Sequence, residues 1–507
     1  MKYSILIFAL ILSTVSLAQS PNYLFHSKLK AESNKEGNLI ACKKIGSRSF
    51  GIYDQTKNKI VNGKKLGKEF KAHTNILSIG NKWVYVHDAE KGKSAKGNYS
   101  LIELNNLGNF SYSAPFFECQ EKLGSIKFYG MAATSSQVSF VNRLKKSTNE
   151  NYILSIASKF FGSKLLVESF NVSLKDYRKS NEVVQFALAN NKLEVVKKGS
   201  FDAGVTRRYI KDFQFHVSDL GDIYFVYILN QEFIEKSNRV LIVKVSSDGS
   251  SVEKINVNMP KFNSSNVKIN FKKNKIELLG VAKLFSLNQD EEPKVKGLFY
   301  GCIDLKTFST KDLNIMIFSE EQKKELNDIY KNNEKVLLKR EEYLEVFPQL
   351  DTRFVSYGED KVGYLLRYDV PLKTESTALT PGSIIGHYYS SYFFVRIVEN
   401  KNRILDITPL ENMKGKNDRN LEVVQNGNED YFIYSLGDKC VGLKIPSDGF
   451  SPFSGTKHLC DLRNANEIFR FSGLGGIQIN NSNNYYFNVR YIKKIPKSGV
   501  ARLSLNF

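Results

Sequence analysis

Tyr209–Val257 reads YIKDFQFHVSDLGDIYFVYILNQEFIEKSNRVLIVKVSSDGSSVEKINV, and its pattern decides the fold. Phe213, Phe215 and Val217 alternate with Asp212, Gln214, His216 and Ser218, the two-residue period of a strand with one buried face. Asp219-Leu220-Gly221-Asp222 is a turn in which Gly221 can take positive φ without a Cβ clash. Ile223–Leu229 is a nearly continuous β-branched and aromatic run, as expected of a strand covered on both faces. A polar loop leads to Val240–Val245, and Ser247-Asp248-Gly249 turns the chain into Val252–Val257. Four antiparallel strands in so short a stretch form one blade of a β-propeller.

Working outward, similar sets recur. Toward the N-terminus come LIACKK, SFGIYD and KIVNGKKL, with Asn62-Gly63 read as a turn. ILSI, KWVYVHD and YSLIELN follow, closing on Asn105–Asn109, a turn like Ser218–Asp222. A third set runs from SIKFYG through QVSFVNR, NYILSIA and KLLVESFNV, and EVVQFALA and KLEVVKK add a hairpin over Asn190-Asn191. Beyond the central blade, NVKINFK and KIELLGVA form a hairpin over Lys273-Asn274, joined by GLFYGCIDL and LNIMIF. TRFVSYG, KVGYLLRYDV, YYSSYFFVRIVE and RILDITPL make a further set, and NLEVVQN, DYFIYSL, KCVGLKI and TKHLCDL another. IFRFSG, GIQINN, NYYFNVRYI and ARLSLNF close the chain. The expected fold is all-β, a single propeller of seven four-stranded blades. The number becomes eight if the last set stands by itself.

Residues 319–347 break the pattern. The segment is charged and free of Gly and Pro, with Leu326, Ile329, Tyr330 and Leu337 near helical spacing. Ser319 with Gln322 makes a capping-box start. A helical insertion is expected there, packed on the rim or docking a partner.

Residues 1–18 carry Lys2, an apolar run from Ile5 to Leu12, and Ser16-Leu17-Ala18, with small residues at the cleavage-determining positions. This is the pattern of a secretory signal peptide cut after Ala18, leaving residues 19–507 as the propeller. No later run approaches the roughly 20 apolar residues of a membrane span. The expected product is a secreted or periplasmic monomer, free or held at the cell surface. The chain carries 73 basic against 52 acidic residues, a net charge of +21. Only 16 of the basic residues are arginine. Lysine is a hydrated point charge and arginine the bidentate reader of phosphate, so this balance speaks for a soluble basic surface and against specific nucleic-acid recognition.

Five cysteines in an exported chain leave at least one unpaired in a monomer. Cys440 and Cys460 are the expected pair, since KCVGLKI and TKHLCDL flank one turn and place them roughly opposite each other. Cys42, Cys119 and Cys302 read as buried thiols. No CxxC or Cys/His cluster suggests zinc, and no cofactor is expected.

The chain resembles a group of secreted bacterial β-propeller proteins with no assigned activity. The resemblance rests on residues 296–410: GLFYGCIDLKTFSTKDLNIMIFSEEQKKELNDIY, then VSYGEDKVGYLLRYDV, then GHYYSSYFFVRIVENKNRILDITPL. These correspond to a blade, an insertion, a glycine-containing hairpin and a tyrosine-rich strand, with Gly358-Glu359-Asp360 where paired glycines would be expected. The resemblance implies fold and export and assigns no functional residue. Other propeller signatures are absent: Trp83 is the single tryptophan, Gly475-Gly476 is one glycine pair where repeated pairs would be needed, and Ser247-Asp248-Gly249 lacks the tryptophan of an Asp box.

Two clusters are candidates for a ligand-facing surface. His216, with Arg207, Arg208 and Asp219 near in sequence, could supply an acid or base and a cation to a polysaccharide-acting enzyme. The plainer reading is a polar residue on a solvated strand face. His387 with Tyr388, Tyr389 and Tyr392 offers aromatic faces and hydroxyls suited to sugar rings, or else fills the space between blades. Asp88, Asp351, Glu359 and Asp360 read as acids in turns with no pair spacing. No P-loop, dinucleotide fingerprint, HExxH or EF-hand loop is present. The leading expectation is a non-enzymatic binding propeller for a glycan, an envelope component or a protein. The alternative is an extracellular polysaccharide hydrolase or lyase.

Overall fold

The structure is a computed structural model. It describes strand backbone between Asn22 and Ser504, with side chains chiefly within 77–84, 144–156, 181–229, 240–257, 267–282, 297–321, 424–462 and 503–507. Residues 1–21, 162–180, 285–294, 325–349 and 372–387 fall outside it, and with them the leader, KLLVESFNV and most of the insertion. Glu320, Glu321 and Lys324 have helical backbone, directly after the expected Ser319 cap.

Eight antiparallel sheets follow one another along the chain. The first four occupy Leu29–Lys65, Leu77–Cys119, Ile126–Thr206 and Ile210–Val257; the last four occupy Phe262–Ile317, Leu350–Lys416, Glu422–Asp461 and Arg463–Ser504. Inter-sheet contacts join the first sheet to the second, the second to the third, and so on to the sixth; the seventh touches the eighth, and the eighth returns to the first. That ring order is a β-propeller.

Among the described residues the sheets number eight, the second of the two expected blade counts. The last set forms its own sheet, and Asn22–Tyr23 adds to it by pairing Asn22 with Arg502 and Tyr23 with Ala501. This pairing fastens the two ends of the described chain to one another in a single sheet.

The central blade forms as its pattern predicts. Ile210–Val217, Ile223–Leu229, Arg239–Val245 and Val252–Val257 pair in chain order, and Gly221 and Gly249 take φ of +89° and +78° in the two turns. Every side chain of Ile223–Leu229 is buried. The two-residue period splits that strand between two cores: Ile223, Phe225, Tyr227 and Leu229 join Phe213, Phe215 and Val217 against the third sheet. Tyr224, Val226 and Ile228 pack with Ile276, Leu278 and Phe299 of the fifth.

Two local readings change. Asn62-Gly63 lies inside the strand Lys59–Lys65, opposite Ile52 and Gly51, rather than in a turn. The register shift beside it leaves Val61 as the extra residue of a bulge. The hairpin over Asn190-Asn191 forms as expected, Asn181–Asn190 pairing with Val195–Thr206 as the fourth and fifth strands of the third sheet. Asp88 and Asp351 lie in the strands Lys82–Asp88 and Leu350–Tyr357 rather than in turns.

Candidate site at the turn end of the second to fourth sheets

Within each antiparallel sheet, the turn between strands one and two lies at the same end as the turn between strands three and four; in the five-stranded third sheet the corresponding turns follow strands two and four. In sheets two to four the first of these turns are Gly80-Asn81, Ser147–Asn151 and Ser218–Asp222, and each clasps the next. Glu150 accepts a hydrogen bond from the Gly80 amide at 2.6 Å and an ion-paired one from Lys146 at 2.7 Å. Lys146 also donates to the Ser78 carbonyl at 2.7 Å. One blade on, the Asn149 amide donates to Asp219 Oδ1 at 2.8 Å, and Asn149 Nδ2 donates to the Asp219 carbonyl at 3.2 Å. Within the fourth sheet, Asp222 Oδ1 accepts from the Ser247 amide at 2.9 Å.

Glu150 adopts φ of +60°, a left-handed conformation disfavoured for a residue with a Cβ. Its two inter-strand and inter-blade partners hold it there. The Asn149 side chain fixes the same turn by accepting from Ser147 Oγ and the Asn151 amide.

Between these turns lies an open groove of about 480 Å³ lined by Ile79, Gly80, Asn81, Lys82, Asn149, Glu150 and Asn191. Its charges are matched locally, since Lys82 pairs with Glu103 at 2.8 Å and Glu150 with Lys146 at 2.7 Å. The groove presents the asparagines Asn81 and Asn191 beside Ile79 and the Gly80 backbone, on walls held by the clasps just described. Asn191 stands exposed in the turn Asn190–Leu193. The sequence reading missed this groove because its residues come from three turns far apart along the chain and none belongs to a motif.

His216 is partly buried on the strand Ile210–Val217. Phe213, Phe215 and Val217 turn toward the third sheet, so His216 points to the fifth, where its ring stacks on Phe271 at 4.7 Å between centroids, 12° from parallel. Burial and the Lys145 cation lower its pKa from 6.5 to about 4, with Asp219 pulling the other way. At neutral pH it is an uncharged spacer between blades and too weak a base for general-base work near pH 7.

The sign of the pH effect follows. The unfolded imidazole takes a proton below pH 6.5 while the folded one resists until about 4, so stability falls as pH drops through that window. The expected loss is about 2–3 kcal/mol. His216→Phe keeps the stack and should flatten this limb in urea titrations between pH 7 and 4. A limb of unchanged slope in the variant would assign it to other groups.

Arg207, Arg208, His387, Glu359 and Asp360 lie outside the described residues, as do the side chains of Tyr388, Tyr389 and Tyr392. Those three tyrosines sit on the strand Tyr388–Val398, opposite Pro371, Val370 and Arg367. Cys440 and Cys460 are directly opposed in register. Cys302, expected to be buried, is only partly so. Among the described residues no cluster of His, Cys, Asp and Glu could hold a metal ion, and no helix is long and apolar enough to cross a membrane.

No family model matches the chain, and no curated protein does. Solved structures similar to it over most of its length include the WD40 domain of SCAP from fission yeast, at 8% identity, covering 96% of this chain and 97% of that one, with a TM-score of 0.40. The polysaccharide lyase Uly1 is 11% identical, with 89% and 93% covered and a TM-score of 0.39. The β-propeller domain of Vanderwaltozyma polyspora Nup133 is 12% identical, with 85% and 100% covered and a TM-score of 0.37. At such identities and scores these likenesses say nothing about function.

Proposed function

We propose that the protein is exported by residues 1–18 and acts as a non-enzymatic binding propeller, taking a hydroxyl-rich ligand, a glycan of the cell envelope or its surroundings, in the groove between the second and third sheets. The observation that carries this reading is the groove itself: about 480 Å³, with Asn81 and Asn191 exposed beside apolar Ile79, its charges paired off and its walls cross-clamped between blades. Amide groups both donate and accept, which matches sugar hydroxyls, and a pre-set wall lowers the ordering cost of binding. The neutral His216, wedged between blades, gives no support to the enzyme reading that rested on it.

The test is an array of neutral and acidic glycans probed with residues 19–507 at low and physiological salt. Saturable binding to one glycan class should survive salt and weaken about 10-fold or more in Asn81→Ala/Asn191→Ala, each lost hydrogen bond being worth about 1 kcal/mol. Asn191 is exposed, so Asn191→Ala alone should leave the melting temperature unmoved and separate a lost ligand contact from lost stability. Binding that disappears with salt would be the generic attraction of a basic surface. Binding that ignores the double substitution would place the ligand elsewhere. Either outcome overturns the assignment.

A further inference from the structure

We propose that Cys440 and Cys460 form a disulfide across the last two strands of the seventh sheet, and that this bond staples the seam where the seventh blade meets the ring-closing eighth. The two residues are direct register partners. Directly opposed antiparallel residues have Cα atoms about 4.5–5.5 Å apart, inside the range a disulfide spans without moving the backbone. The two thiols interact: the hydrogen bond that the Cys440 thiol makes to Cys460, followed by burial, holds Cys440 well above its ordinary pKa of 9.0.

The surroundings say what the bond would hold. Cys440 is fully buried among Leu459, Leu462, Leu503 and Leu505, with Cys460 and Phe507 packed against them. The strand Lys457–Asp461 is only five residues long, is a sheet edge, and carries a register shift next to the cysteine pair. Its ladder to Lys439–Ile445 is correspondingly short. Yet that weak strand anchors the segment after the eighth sheet, since the Asn506 amide donates to the Leu459 carbonyl at 3.0 Å. A covalent tie at Cys460 would fix both.

Exposure sets the order of chemistry. Cys460 is partly exposed and Cys440 buried, so an external disulfide reacts first at Cys460. The Cys460 thiolate attacks one sulfur of the donor, the donor S–S bond breaks, and one donor thiol leaves. The Cys440 thiolate then attacks the Cys460 sulfur of the mixed disulfide and expels the second donor thiol. Two protein thiols become one disulfide while one donor disulfide becomes two thiols. The donor is any small or protein disulfide of an oxidising compartment.

The test uses the whole chain, folded under reductant, then equilibrated with oxidised glutathione, acid-quenched, unfolded and labelled with maleimide. A Cys440–Cys460 cross-linked peptide is expected, with three of the five cysteines outside it. In Cys440→Ala a stable glutathione adduct should accumulate at Cys460, because the resolving thiol is gone. Oxidation should also slow amide exchange in 457–461 and 503–507 by about 10-fold or more relative to the reduced protein. Recovery of both cysteines labelled, or of a lasting glutathione adduct in the unsubstituted protein, overturns the bond. A bond that forms without slowing exchange overturns the staple.

Discussion

Phe225→Ala is expected to destabilise the protein by about 4 kcal/mol, within the range of about 3–5 kcal/mol for truncating a buried phenylalanine. Phe225 is fully buried in the central strand of the fourth sheet, on the face turned to the third. Its ring stacks on Phe201 at 5.6 Å and Phe213 at 6.1 Å and is tilted against Phe186 at 6.0 Å. Two of these partners belong to the third sheet and one to the fourth, so the cavity would open in the joint between blades. Strand pairing on both sides prevents the backbone from collapsing into it. The measurement is urea unfolding followed by Trp83, the single tryptophan, itself fully buried in the second sheet. A midpoint shift at constant slope means that loosening the third-to-fourth joint unfolds the second sheet too, as a ring with one continuous core requires. A shift below about 1 kcal/mol would show that the aromatic cluster does not bind the blades together.

How much of this was readable beforehand depends on how far apart the contributing residues lie. The central blade was legible in full, because alternation, a doubly covered run and glycines at +89° and +78° are all local signals. Other turns were harder to place. Glu150, Leu193 and Phe308 take the left-handed position at φ of 60°, 66° and 45°, where a sequence reading looks for Gly or Asn. Leu193 and Phe308 are nearly buried, so packing offsets the strain, and packing is not written in adjacent residues. Asn62-Gly63 shows the reverse, a turn dipeptide placed inside a paired strand.

The candidate site followed the same logic. His216 was read as a candidate acid or base, but its partner Phe271 lies in the next blade, so the stack between them could not be seen from its neighbours in sequence. The groove draws Gly80, Asn149 and Asn191 from turns of two sheets, and the Glu150–Gly80 clasp spans 70 positions. The cysteine pair was legible because its two strands are consecutive.

Glu277→Ala is the second large effect, and it separates two acid limbs. Glu277 is fully buried on the second strand of the fifth sheet, with Lys272 and Lys275 on Oε1 at 3.0 and 2.9 Å and Asn270 Nδ2 donating to Oε2 at 2.8 Å. The two lysines are cross-strand partners flanking the turn Lys273-Asn274, and like charges in that position repel. The carboxylate makes their juxtaposition tolerable. Removing it leaves two cations facing each other over a buried hole, and breaking a buried ion pair costs about 3–5 kcal/mol. The lower end, about 3 kcal/mol, is expected, because both lysines are about a quarter exposed and can recruit water.

Glu277→Gln keeps the shape and loses the charge, so it tests the charge alone. Burial by itself would raise the Glu277 pKa, but the hydrogen bonds from Lys275 and Lys272 outweigh it and hold the group below 4.5. A depressed carboxyl contributes stability above its unfolded pKa and loses it as pH falls through the folded one. Glu277 therefore acts below about pH 4.5, whereas His216 acts between 6.5 and about 4. Acid should weaken the protein in two stages, the first missing in His216→Phe and the second in Glu277→Gln. A Glu277→Gln protein that kept the lower limb would mean that the lysine pair is not what the buried carboxylate serves.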